Sequence, residues 1–166
     1  MIYKRLRNMA RLLMAVLFMF LAFPVSASMV SFLLVETGIN VSGSSGRYSN
    51  VWEGALMEAF FEAGFIVTNS PIAQMEKKPD RDLSGIVEED FNDAILGGAD
   101  YYILGFLEYQ SQGTVPTGIT LKLYNSNSRE LIHEERFPAG TGRNLDEEGR
   151  LAQNAGRAII SRLAGR

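Results

Sequence analysis

The chain has 166 residues, no cysteine and a formal net charge of −3 at pH 7. Without cysteine, neither a disulfide nor a cysteine-bound metal can form. The first 27 positions hold four basic and no acidic side chains, so the rest of the chain carries 12 basic and 19 acidic ones. An acidic surface without basic clusters argues against nucleic acid and anionic lipid as partners.

The N-terminal segment has the pattern of a secretory signal peptide. After a basic start, an apolar run extends from Leu12 to Phe23, and Pro24 is followed by Val25-Ser26-Ala27. Small residues at the −3 and −1 positions predict cleavage after Ala27, so residues 1–27 are the leader and 28–166 form a single domain. An uncleaved anchor is the alternative, although a spanning helix needs about 20 apolar residues.

The predicted domain begins with a strand, a loop and a helix. Ser31–Glu36 is rich in strand formers and is followed by the Gly- and Ser-rich stretch Gly38–Gly46. Asn50 with Glu53 resembles a capping box, which predicts a helix that starts there and ends at Gly64. The apolar face of this helix includes Trp52, which we therefore assign to the core.

A second strand and helix follow. Phe65–Thr68 predicts the strand, and the polar stretch Glu76–Asp82 predicts a solvated connection. Ser84 is the expected N-cap of the second helix, and Gly97-Gly98 ends it.

The C-terminal part predicts three strands and a last helix. Tyr101–Leu107 is apolar at nearly every position, as in a central strand that is covered on both faces. Ile119–Leu123 alternates, so Thr120, Lys122 and Tyr124 are expected to face outward, and Glu130–Phe137 completes an antiparallel hairpin. The helix begins near Asn144, with Glu147 as its capping partner. The fold class is α/β (α+β), with a mixed five-stranded sheet, about three helices and the order β-α-β-α-β-β-β-α.

The sequence motifs that would indicate catalysis, phosphate binding or metal binding are incomplete. Gly38 and Gly43 have the separation of a phosphate-binding loop, but Ser44 stands where the lysine is needed. His133 is the only histidine and no nucleophile motif accompanies it. The acidic residues of the second helix lack calcium-loop spacing and suit a solvated face. The sequence predicts no catalytic residues, no cofactor and no metal.

Three residues are candidates for contact with a partner. Arg47, Tyr48 and Tyr109 have no clear reason to be buried, and arginine and tyrosine are over-represented in interface hot spots.

The chain resembles a known family of periplasmic α/β domains, which includes the amino-terminal domain of TolB, LpoB and CsgG. The resemblance rests on the opening strand Phe32–Val35, on Gly98–Gly105 (Gly-Ala-Asp-Tyr-Tyr-Ile-Leu-Gly), and on the hairpin of Ile119–Leu123 and Leu131–Phe137. It implies a non-enzymatic domain that docks on envelope proteins. Glu36-Thr37 replaces the family's usual Pro-Phe, and there is no lipid-bearing cysteine.

Together these observations favour a non-enzymatic periplasmic interaction or assembly module of the bacterial cell envelope, which meets the membrane only through proteins after leader cleavage. The alternative is a domain that binds a small ligand or cell-wall fragment, with Gly38–Tyr48 as a lid. An enzyme is a third possibility, and the glycosylation pattern Asn40-Val41-Ser42 leaves a eukaryotic secreted origin open.

Overall fold

The computed structural model describes residues 27–38, 46–79, 81–110 and 113–164. The predicted leader, apart from Ala27, and residues 39–45 of the Gly-rich stretch lie outside these residues. The elements are β1 Met29–Thr37, α1 Arg47–Glu62, β2 Ile66–Asn69, β3 Ala73–Met75, α2 Ile86–Leu96, β4 Tyr101–Tyr109, β5 Pro116–Asn125, β6 Leu131–Phe137 and α3 Leu145–Ala164. The predicted mixed α/β fold is confirmed, with one additional strand.

The sheet has the order β2-β1-β4-β5-β6, and the additional strand β3 also pairs with β1. β1 is parallel to β2, β3 and β4, whereas β4, β5 and β6 form an antiparallel meander. The predicted central strand and hairpin are therefore confirmed. β2 pairs with the first half of β1 and β3 with the second half, so the two short strands share one edge of the sheet.

Helices cover both faces of the sheet. On one face α1 and α3 pack over Phe32, Ile103 and Leu121, while on the other Phe91 of α2 packs against Tyr102 with ring centroids 4.6 Å apart. Full burial of an aliphatic or aromatic side chain contributes about 1.5–3 kcal/mol, so these two layers are the main source of stability. No helix among the described residues is long and apolar enough to cross a membrane.

Two predicted helix starts are wrong. α1 begins three residues before Asn50, and the Asn50 N–H donates to the carbonyl of Gly46, whose φ is 108°. α2 follows Gly85 rather than Ser84, whose hydroxyl donates to the Arg81 carbonyl at 2.7 Å. In both cases a glycine with positive φ makes the turn that a polar cap was expected to make.

The other predicted helix boundaries agree with the structure. Gly64 and Gly98 follow α1 and α2 with φ of 90° and 86°, as expected of residues that end helices. The Asn144 side chain accepts the Glu147 N–H at 2.8 Å and caps α3.

The face of β5 that was expected to point outward is buried. Thr120, Lys122 and Tyr124 are all less than a tenth exposed. They are covered because the polar connection before α2 lies on the sheet, where Asp82 accepts a 2.6 Å hydrogen bond from Lys122 and the Lys78 ammonium lies 4.8 Å from the Phe106 ring centre. Charge pairing, not solvation, accommodates the polar residues here.

The strand directions give the domain two ends. We call the end where β1, β2, β4 and β6 start the base, which includes Ser28, Ile66 and Tyr101. We call the opposite end the loop end, where β1 and β4 finish and α1 and α3 begin, and which includes Glu36 and Tyr109.

Candidate functional site

The loop end lies at a switch in the winding of the sheet. The helix α1 leads from β1 to β2 over one face, whereas α2 leads from β3 to β4 over the other. In open α/β sheets, ligands bind beyond the carboxyl ends of the strands at such a point. We therefore take the loop end as the candidate site.

The Glu36 carboxylate organises the first half of this site. It ends the apolar run of β1 and is completely buried. Its Oε1 accepts the Gly46 N–H at 2.9 Å, the Ser49 hydroxyl and the Tyr109 hydroxyl at 3.4 Å, and its Oε2 accepts the Gln74 amide at 2.8 Å. The positive end of the α1 dipole favours a negative charge at this position. Glu36 thus connects α1, β3 and β4.

A second buried carboxylate, that of Glu148, organises the other half. Glu148 lies in the first turn of α3 and is completely buried. It accepts the Trp52 indole N–H at 2.7 Å and the backbone N–H groups of Gly140 and Gly142 at 2.6 Å and 3.0 Å. Gly140 has φ of 70°, and a Cβ there would overlap the Pro116 carbonyl oxygen. The segment before α3 is therefore held by backbone contacts that require glycine.

Neither carboxylate takes part in an ion pair among the described residues. Burial of a carboxylate is costly unless hydrogen bonds compensate it, and here N–H and O–H donors do so. Burial raises the pKa of Tyr109 above its ordinary value of 10.0, and the Glu36 charge raises it further although the Ser49 hydroxyl opposes this shift. Tyr109 is consequently a neutral hydrogen-bond donor at physiological pH.

The structure brings the three predicted contact residues to this end. Arg47 is exposed in the first turn of α1, and the neighbouring Tyr48 is half-buried against the core. Tyr109 is buried at the end of β4, with its hydroxyl toward Glu36. A partner would therefore meet Arg47 and Tyr48 directly, whereas Tyr109 supports the surface from beneath. Their contact role stays a prediction.

The sequence reasoning missed both buried glutamates. Glu36 could have been found as the one charged residue that ends an apolar strand run, Ser31–Glu36. Glu148 could not, because Asp146 and Glu147 precede it in the same turn and all three suit the helix dipole. Trp52 is in the core as predicted, but its indole N–H also has a specific acceptor.

The remaining candidates lie elsewhere. His133 is half-buried on β6 with its Nε2 3.0 Å from Glu135. Near α2, a cavity of about 320 Å³ is lined by Ser70, Asp90 and Asp93, and the Asp90 carboxylate accepts the Tyr102 hydroxyl at 2.7 Å. Within the described ranges, no group of three or more His, Asp or Glu residues could hold a metal ion. Gly43 and Ser44 of the incomplete phosphate-loop pattern lie outside those ranges.

Comparison with known proteins gives a family and a fold. The chain belongs to a family whose description reads "Uncharacterised protein" and whose sequence model matches residues 39–121, half of the chain. No curated protein matches the sequence. Among solved structures, a point variant of the PelC dodecamer from Paraburkholderia phytofirmans has a TM-score of 0.51 at 14% identity, covering 82% of this chain and 89% of PelC.

Two further solved structures are similar to this chain at lower scores. TolB from Acinetobacter baumannii has a TM-score of 0.42 at 16% identity, covering 85% of this chain and 30% of TolB. The LpoB C-terminal domain from Salmonella enterica has a TM-score of 0.40 at 18% identity, covering 71% of this chain and 87% of that domain.

Proposed function

We propose that this chain is an exported protein of the bacterial cell envelope whose domain, residues 28–166, binds or assembles with other envelope proteins without catalysing a reaction. This proposal rests on the structural role of the Glu36 and Glu148 carboxylates. These two carboxylates are buried and hydrogen-bonded to the domain's own loops and helices. They hold the start of α1 and the segment before α3 in place instead of facing a substrate.

A surface with a fixed shape suits protein recognition. Little conformational entropy is lost when a partner binds a preorganised site, so more of the contact energy appears as affinity. Arg47 and Tyr48 are of the residue types enriched in hot spots, and Val115 adds an exposed apolar side chain at the same end. We propose these three residues as the contact surface, with Tyr109 beneath them.

Two further observations support an assembly role in the envelope. The signal-peptide pattern of residues 1–27 supports export to the periplasm, with cleavage after Ala27. PelC, whose structure has a TM-score of 0.51 to this chain, is a dodecamer, so a similar fold occurs in an assembled state in that protein.

Photocrosslinking in intact cells tests the proposal. A photoreactive amino acid replaces Arg47 or Val115 in the full chain, and the exposed Asn154 in the middle of α3 is the control position. Affinity purification and mass spectrometry then identify the crosslinked proteins. We expect the same envelope protein, or this chain itself, from both loop-end positions and not from Asn154. Equal products from all three positions would contradict the assigned surface.

A second experiment separates this function from its alternatives. Gly38–Tyr48 is replaced by a short Gly/Ser linker, and binding of cell-wall fragments is measured with and without the replacement. Fragment binding that is lost on replacement while the melting temperature is kept would favour the ligand-binding alternative. Turnover of an envelope substrate that one substitution abolishes without unfolding the domain would overturn the non-catalytic assignment.

A further inference from the structure

The exposed apolar side chains are concentrated at the base of the domain. Phe61 in the last turn of α1 is 72% exposed, and Leu96, the last residue of α2, is 85% exposed. Ile66 and Leu131, the first residues of β2 and β6, are exposed as well. Phe61 and Leu96 keep most of their apolar surface in water, and contact with an apolar medium at this end would bury it.

The strand register places these residues at one end. In β1, Met29 is opposite Ile66 of β2, and the next residue, Val30, is opposite Tyr101 of β4. The next residue of β4, Tyr102, pairs with Tyr124 of β5, and Tyr124 in turn pairs with Leu131 of β6. Between the ends of α1 and α3 a cavity of about 340 Å³ opens at this same base, lined by Ser28, Ala63, Phe65, Tyr101, Ile160 and Leu163.

The chain arrives at the base directly from its N-terminal apolar run. Ser28 lines the cavity, and the apolar run of the leader ends at Phe23, five residues earlier. Five extended residues span at most about 18 Å. While the leader is attached and its apolar run is in the membrane, the base cannot move further from the bilayer than this connection allows.

We propose that the base rests on the phospholipid surface while the leader is attached, with Phe61 and Leu96 inserted in the interfacial region. This inference rests on the proposed export function, because it requires residues 1–27 to act as a leader. The domain beyond residue 27 has an excess of acidic residues, so attraction to anionic lipid does not drive the contact. Burial of the apolar side chains, added to the tether, stabilises it.

The absence of cysteine makes the test specific, because a single introduced cysteine is the only labelling site. Phe61→Cys and Leu96→Cys probe the base. Val115→Cys, next to the first residue of β5 at the loop end, and Ile86→Cys, at the start of α2, are the controls, at positions 42% and 52% exposed. Each full-length variant is labelled with an environment-sensitive fluorophore and reconstituted into phosphatidylcholine vesicles. Circular dichroism checks that all four variants are folded.

We expect the emission of the probes at 61 and 96 to shift to shorter wavelength and to be quenched by a lipid-phase quencher, with no change at 86 and 115. An inserted chain whose four probes behave alike would overturn this inference and leave the proposed function intact. Failure of the full-length chain to insert into the vesicles would contradict both the assignment of residues 1–27 as a leader and this inference. A shift at 96 that grows with protein concentration without vesicles would assign the base to a second copy and overturn the lipid contact.

Discussion

The indole N–H of Trp52 donates to the carboxylate of Glu148 at 2.7 Å and joins the middle of α1 to the first turn of α3. Ser49, one turn earlier on α1, donates to Glu36. A single helix therefore contacts both buried carboxylates. The segments on either side, before α1 and before α3, are positioned by the same rigid element.

Glu148→Gln should lower the free energy of unfolding by about 3 kcal/mol, because an amide keeps only one acceptor for three N–H donors and hydrogen bonds to a charged group contribute about 1.5–3 kcal/mol each. Urea denaturation measures the change. Asp146→Asn is the control in the same turn, where Asp146 is exposed, and it should change stability by less than about 0.5 kcal/mol. Equal effects of the two substitutions would contradict the structural role of Glu148.

Glu36→Gln should loosen the start of α1. The Gly46 N–H loses a charged acceptor, so its amide hydrogen should exchange faster, and stability should fall by about 2 kcal/mol. Native-state hydrogen exchange measures both effects. Glu62→Gln, at the exposed end of the same helix, should leave the exchange of Gly46 unchanged. Unaltered protection of Gly46 in Glu36→Gln would show that the carboxylate does not hold this segment.

Lys122 and Asp82 should be energetically coupled. Burial lowers the pKa of Lys122, but the hydrogen bonds and charges of Asp82 and Glu134 outweigh it, and the pKa is raised above 10.5. A double-mutant cycle with Lys122→Met and Asp82→Asn should give a coupling of about 1–2 kcal/mol at neutral pH. The exposed pair Arg157 and Glu62, 3.6 Å apart, should give less than about 0.5 kcal/mol. Similar couplings for both pairs would contradict the assigned role of burial.

The buried tyrosines should make the domain unstable in alkali. Burial raises the pKa of Tyr102 above 10.0, with a further contribution from its hydrogen bond to Asp90, so the folded state keeps a proton that the unfolded state releases. The contribution of Tyr102 to stability should therefore be constant below about pH 10 and decline above it, and Tyr102→Phe should reduce the decline by about 1.4 kcal/mol per pH unit. Denaturation between about pH 9 and pH 11 measures the slopes. If stability declines with pH equally steeply in the wild type and in Tyr102→Phe, the assignment of the alkaline instability to Tyr102 is wrong.

The parts of the fold that the sequence predicted depend on short-range patterns. The apolar run of β4, the alternation in β5, and the glycines after α1 and α2 each act within a few residues of their own position. Asn144 belongs to the same class, because its capping partner Glu147 is three residues away. Local hydrophobicity and turn chemistry were sufficient for these elements.

The missed features depend on residues far apart in the chain. Lys122 looked solvent-exposed because its partner Asp82 is 40 residues earlier, and Glu148 looked like an ordinary first-turn acid because Trp52 is 96 residues earlier. The three-residue strand β3 is too short to show a period and is defined by its pairing with β1. For the candidate site, sequence located Arg47 and Tyr48 but could not find the buried groups that shape the surface around them.

The shared edge of β2 and β3 has a consequence for aggregation. Ser70 and Pro71 lie between β2 and β3 and break this edge into two short strands. An incoming strand therefore cannot form a continuous hydrogen-bond ladder along it. The opposite edge, β6, carries consecutive titratable side chains from His133 to Arg136, which disfavour strand addition there. Both margins of the sheet thus resist templated growth into fibrils. If the domain assembles as proposed, its contacts should therefore involve loops and helices and not strand addition at either sheet margin.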